Sequence, residues 1–160
     1  MIKSITLYLI DKVNYMDNSP NLDQQLFSVL DAYKSALQSA LAVELPQISL
    51  LYYRVLRLLG RAEPVTPLQV AQLLRRDKAQ VTRLIADLAA KNWLIKQPHP
   101  QDKRSVQLAL TPVGEQLLTQ AKALEQRLSQ RMLQGMDTTQ QQQLAAGLQL
   151  LQRNLQQVGD

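Results

Sequence analysis

The sequence predicts a mostly helical chain with one small β-hairpin, and three observations predict it. Apolar residues recur at three- to four-residue spacing over most of its 160 residues. Leu, Gln and Ala, which favour helix, dominate, while Gly (5) and Pro (7) are scarce. One stretch breaks the pattern: between Trp93 and Leu110, two strand-like flanks enclose a polar tip with two prolines. The length suits a single domain that can bury a sizeable core.

Residues 1–20 stand apart as an extension. Ile2, Ile5, Leu9 and Val13 fit a helix, Ile5, Leu7 and Leu9 fit one face of a strand equally well, and Met16 is a second candidate start. The apolar run around Leu7–Ile10 stops at Asp11-Lys12, too short to cross a membrane, and no small-residue cleavage site follows. A cytoplasmic protein that does not engage a membrane is therefore expected.

Residues 22–45 read as a helix with Leu22, Leu26, Val29, Leu30, Tyr33, Leu37 and Leu41 on its apolar side, ended by Pro46. Ser49 caps a second helix carrying Leu51, Val55, Leu58 and Leu59, which stops near Gly60. Thr66-Pro67-Leu68-Gln69 is a capping signature, with proline at the first helical position. The short helix after it, with Val70, Leu73 and Leu74 inward, ends in an Arg75-Arg76 corner. Asp77-Lys78-Ala79-Gln80 is a second capping box, opening a helix with Val81, Leu84, Ile85 and Leu88 apolar. Asn92, which tolerates the left-handed conformation, ends it. Two helices about a tight corner make a helix-turn-helix. The hairpin follows directly, with Val106, Leu108 and Leu110 alternating on one face, and this order is that of a winged helix. Thr111-Pro112 caps a helix to about Met136 with Val113, Leu117, Ala121, Leu124, Leu128 and Met132 apolar. Thr138-Thr139-Gln140-Gln141 caps the last, whose narrow stripe is Leu144, Leu148, Leu151, Leu155 and Val158.

Composition excludes much chemistry. Cys is absent, which removes disulfides and thiol nucleophiles, and the one histidine, His99, has no nearby second ligand. The acids are scattered, so no catalytic constellation forms; neither enzyme activity nor a metal or other cofactor is expected. The net charge of +5, with a pI near 9.6, is local. Residues 75–104 hold eight basic and three acidic side chains, and the remainder of the chain is neutral. A local basic face is the footprint expected for a polyanion, most often nucleic acid.

Asp102-Lys103-Arg104-Ser105 followed by Leu108-Ala109-Leu110-Thr111-Pro112-Val113-Gly114 resembles the wing signature of MarR-type transcriptional regulators, D-x-R-x-x-x-x-L-x-L-T-x-x-G. Val81-Thr82-Arg83-Leu84-Ile85 and Leu88 are similar to the family's recognition helix, and Ser49–Leu59 to its second helix. The likeness covers about residues 22–158. It departs at Asn92, where the family usually has glycine, and at Lys96, where it often has arginine. The resemblance implies a homodimer: residues 49–111 as the winged DNA-binding region, residues 22–45 and 113–158 as helices of a dimerisation base. Three long apolar stripes that a small winged-helix core cannot cover agree with that.

In a helix-turn-helix the start of the second helix meets base edges, here Lys78, Ala79, Gln80, Thr82 and Arg83. Gln80 suits adenine, Arg83 guanine and the Ala79 methyl a thymine methyl, while Gln80 is also claimed by its capping box. Thr66 and Thr82 suit phosphate. The resemblance sends Arg104 into the minor groove, with Asp102 holding its direction and Lys103 beside it. It further implies a small, often aromatic, effector near Tyr33, Tyr52, Tyr53 and Arg57, for which plain packing is the simpler explanation. The expected partner is double-stranded DNA with an inverted repeat. The competing expectation is a winged helix that binds protein, which would place apolar residues where this chain has Lys78, Gln80 and Arg83. Trp93 is expected to pack behind the wing.

Overall fold

The computed structural model describes residues 21–61, 63–98 and 105–157. The extension 1–20, His99, the wing residues Asp102, Lys103 and Arg104, and Val158 lie outside them. In chain order the elements are α1 (Leu22–Glu44), α2 (Leu50–Leu59), α3 (Pro67–Leu74), α4 (Lys78–Ala90), β1 (Leu94–Pro98), β2 (Val106–Leu110), α5 (Pro112–Met132) and α6 (Thr138–Gln157). No helix among the described residues is long and apolar enough to cross a membrane.

The chain divides into two compact units between Lys34 and Ser35. In the first, the described part is the opening of α1, where Asp31 and Lys34 pair at 3.7 Å and Leu22, Leu26, Phe27, Val29 and Leu30 are exposed.

The second unit holds the core. It is built from the end of α1 (Leu37, Leu41), α2 (Tyr53, Val55, Leu56), Val70 on α3, α4 (Val81, Ile85, Leu88), Leu94, Leu108 and the first half of α5 (Leu117, Leu118, Ala121, Leu124). Helix starts follow the local capping chemistry. Ser49 accepts from the Tyr52 N–H at 3.2 Å, Thr111 from Gly114 at 3.1 Å, and Thr66 and Gln69 complete a reciprocal box. Helix ends use left-handed residues. Asn92 has φ +56°; its N–H donates to the Ala89 carbonyl and that of Trp93 to the Leu88 carbonyl, the two bonds of a Schellman stop. Arg75 does the same for α3, at φ +51°, with the Arg75 and Arg76 N–H groups on the Gln72 and Ala71 carbonyls. A side chain in that conformation costs about 1 kcal/mol, which the two bonds and the burial of Leu74 offset.

β1 and β2 pair antiparallel from Leu94 with Leu110 to Pro98 with Val106. The Leu108 N–H donates to the Val65 carbonyl at 2.7 Å, tying the hairpin base to the approach to α3. Three expectations are corrected. Of the alternating set on β2 only Leu108 is fully buried: Val106 is exposed and Leu110 half-buried, while the Leu108 backbone is tied inward to Val65. The long helix ends at Met132 rather than Met136, and the turn contains Gly135 at φ +89°. The last helix is capped by Asp137, not Thr138: Asp137 Oδ1 accepts from the Gln140 N–H and Gln140 Oε1 from the Asp137 N–H, both at 2.9 Å. A carboxylate also complements the helix dipole there, which a threonine does not.

Candidate nucleic-acid interface

Helix α4 presents two faces. Val81, Leu84, Ile85 and Leu88 are buried; Lys78, Ala79, Gln80, Thr82 and Arg83 are all exposed. The sequence-predicted base-reading set is thus brought together on one solvent face at the helix start, with Arg75 and Arg76 at the corner before it. Among the described residues, neither Lys78 nor Arg83 has an ion-pair partner. Asp77 caps α4 through the Gln80 N–H at 2.8 Å, but the reciprocal half of the expected box does not form. The Gln80 side chain instead accepts from Arg76 Nη1 at 3.3 Å. Thr82 donates to the Lys78 carbonyl at 2.8 Å, and Thr66 Oγ1 is engaged in its own cap. Both hydroxyls still have lone pairs, but a phosphate would have to compete for their protons.

What holds α4 in place is a contact that sequence spacing does not show. The Tyr52 hydroxyl on α2 donates to Asp87 Oδ2 on α4, and the Tyr52 ring meets Trp93 edge-on at 5.7 Å. Trp93 is buried, as expected, with the Lys91 ammonium 5.8 Å from its ring centre. The next residue, Tyr53, points the other way: its hydroxyl donates to Glu125 Oε2 on α5, and Arg57 pairs with Glu125 Oε1 at 2.7 Å. Adjacent tyrosines therefore join α2 to α4 on one side and to α5 on the other. Tyr52, Tyr53 and Arg57 thus spend their polar atoms on internal acids, and Tyr33 is half-buried on α1. The concavity of about 690 Å³ between the end of α2, β2 and the start of α5 is lined by none of these four.

The Asp87 carboxylate raises the Tyr52 pKa above its ordinary 10.0, first by holding the phenol proton, with partial burial and carboxylate charge adding to it. A raised pKa means the folded chain favours the neutral phenol. That contribution is complete below pH 10 and is lost as the pH climbs through the raised value. Tyr52→Phe should therefore flatten the alkaline limb of a stability–pH curve measured by urea unfolding; an unchanged limb would contradict the contact.

The base of the wing explains the Thr-x-x-Gly part of the motif. Thr111 is buried; it donates through Oγ1 to the Asn92 carbonyl at 2.6 Å and through its N–H to the Trp93 carbonyl at 3.2 Å. Gly114 lies against that same Trp93 carbonyl, so close that a Cβ would sit 2.0 Å from the oxygen.

The profile of the MarR family matches residues 47–105, which are the helix-turn-helix and the start of the wing. Over this stretch the chain is similar to the MarR family. The multiple antibiotic resistance protein MarR of Salmonella typhimurium is 34% identical over 68 residues, covering 42% of this chain and 47% of that protein. The chain thus spans about half the length of the curated relatives it matches first. Among solved structures, Streptococcus pneumoniae FabT in complex with DNA superposes with a TM-score of 0.73 at 23% identity, over 86% of this chain and 96% of that one. A mutant MarR from E. coli complexed with operator DNA gives 0.66 at 25% identity, over 81% and 92%. The MarR-type winged helix on flanking helices is therefore the fold of the chain. Of the two departures, Asn92 keeps the left-handed conformation that glycine would supply, and Lys96 stands exposed on β1.

Proposed function

We propose that the chain is a sequence-specific, double-stranded-DNA-binding transcriptional regulator that acts as a homodimer and catalyses no reaction. The exposed, basic start of α4 carries this reading. Lys78, Gln80 and Arg83 point to solvent on a helix clamped from behind, the arrangement that a major groove requires. By the resemblance in sequence, Arg104 is proposed to reach the minor groove, with Asp102 holding its direction and Lys103 beside it. No cofactor or metal is proposed; among the described residues no three acids or histidines cluster as a metal site would need.

The second copy is proposed from α6. It has no buried residue, and Leu144, Leu148, Leu151 and Leu155 stand 43–70% exposed along one stripe. A leucine buried from such a position contributes about 1–2 kcal/mol, so four per protomer suit an interface between copies. A small aromatic acid is the proposed effector chemistry at Arg57, beside Tyr52 and Tyr53, because its carboxylate could replace Glu125 on Arg57.

The test is duplex binding measured against salt. Arg83→Ala should cost about 1–3 kcal/mol and relax preference at one base pair in each half-site. A loss equal on all sequences would make Arg83 a phosphate contact. An α4 that binds protein and no duplex would favour the interaction-module alternative.

A further inference from the structure

We infer that Arg76 sets the base preference of Gln80, turning a side chain suited to adenine into a donor-only reader whose best partner is guanine, an inference that rests on the DNA-binding reading above. Arg76 Nη1, in the corner before α4, lies 3.3 Å from Gln80 Oε1. A guanidinium has donors and no acceptor, so the amide has one chemical orientation: its carbonyl oxygen faces Arg76 and its NH2 faces away. The local fold leaves Gln80 free for this. Asp77 already caps α4 through the Gln80 backbone N–H, and the Gln80 side chain does not return to the cap.

Recognition of adenine by glutamine needs both halves of the amide, the oxygen to accept from N6 and the nitrogen to donate to N7. With the oxygen turned toward Arg76, the amide meets a base through its NH2. Guanine offers two acceptors on its major-groove edge, O6 and N7, thymine offers O4, and adenine offers N7 alone, beside its amino group. The exocyclic amino groups of adenine and cytosine oppose an incoming donor. The order of preference is guanine, then thymine, with adenine and cytosine disfavoured. Arg76 keeps further N–H donors for a phosphate, so it adds charge to the interface while directing its neighbour. Both side chains are exposed, so their replacement leaves the core intact.

The experiment is selection from random duplexes with the full chain, its Arg76→Met and Gln80→Lys variants, and the double variant. Arg76→Met keeps the apolar stem and removes the donors; Gln80→Lys supplies donors without an acceptor. The unaltered chain should enrich guanine over adenine about fivefold or more at one position in each half-site. Arg76→Met should reverse that one position to adenine and leave the others in place, and Gln80→Lys should keep guanine whether or not Arg76 is present. The lost charge lowers affinity on all sequences alike, so it does not imitate a reversal at one base pair. Adenine preferred by the unaltered chain, or an unchanged preference in Arg76→Met, overturns the inference while leaving DNA binding standing. Selection that enriches no sequence for the unaltered chain removes the DNA-binding reading, and this inference with it.

Discussion

Gly114→Ala is expected to destabilise the fold by about 3 kcal/mol, at the upper end of what overpacking costs. The added methyl would lie 2.0 Å from the Trp93 carbonyl oxygen and 3.0 Å from its carbon, both backbone atoms that cannot swing aside. That carbonyl is already held by the Thr111 N–H, and its neighbour Asn92 is fixed in a left-handed stop. Relief requires α5 to move away from the turn that carries the wing. Urea denaturation followed by circular dichroism should show the midpoint falling sharply with its slope unchanged. A midpoint within error of the parent would mean that the close approach is not a constraint on the native state.

The second large effect is expected from charging the α6 stripe. Leu148→Glu with Leu151→Glu places two carboxylates on a face that is exposed among the described residues. The winged region should keep its stability, because neither leucine belongs to the buried core. The proposed dimer should not survive, and sedimentation equilibrium should return the mass of a single chain. Tight operator binding should fall with it by roughly 10²–10⁴-fold, as two linked half-site contacts become one. A doubly charged variant that still sediments as a dimer would place the interface elsewhere.

Much of this architecture is legible in the sequence where the governing chemistry is local. The caps at Ser49, Thr66, Asp77 and Thr111 depend on one side chain and an N–H within three residues, and all four form. The buried face of α4 follows from its period, and its exposed face from what remains. Local rules fail where two candidates fit equally, as at Asp137 and Thr138, each followed three residues on by a glutamine. They fail again where the fold imposes a conformation, as at Arg75, which nothing in the sequence marks as left-handed. Contacts across the chain leave no trace in spacing. Tyr52 and Asp87 are 35 positions apart, and Tyr53 and Glu125 are 72 apart. The tyrosines are visible as residues of interest, but their acid partners are not. Gln80 shows a further limit: a capping-box sequence also permits a half-formed box, and only the position of Arg76 decides which occurs.

The central claim is that two copies of α4 read DNA together. Selection of binding sites from random duplexes, followed by footprinting of the winners, measures this most directly. The account predicts an inverted repeat whose half-sites are centred roughly 34 Å, or one helical turn, apart, the spacing that places two recognition helices in successive major grooves. A single asymmetric site, or enrichment of RNA over duplex DNA, would contradict it.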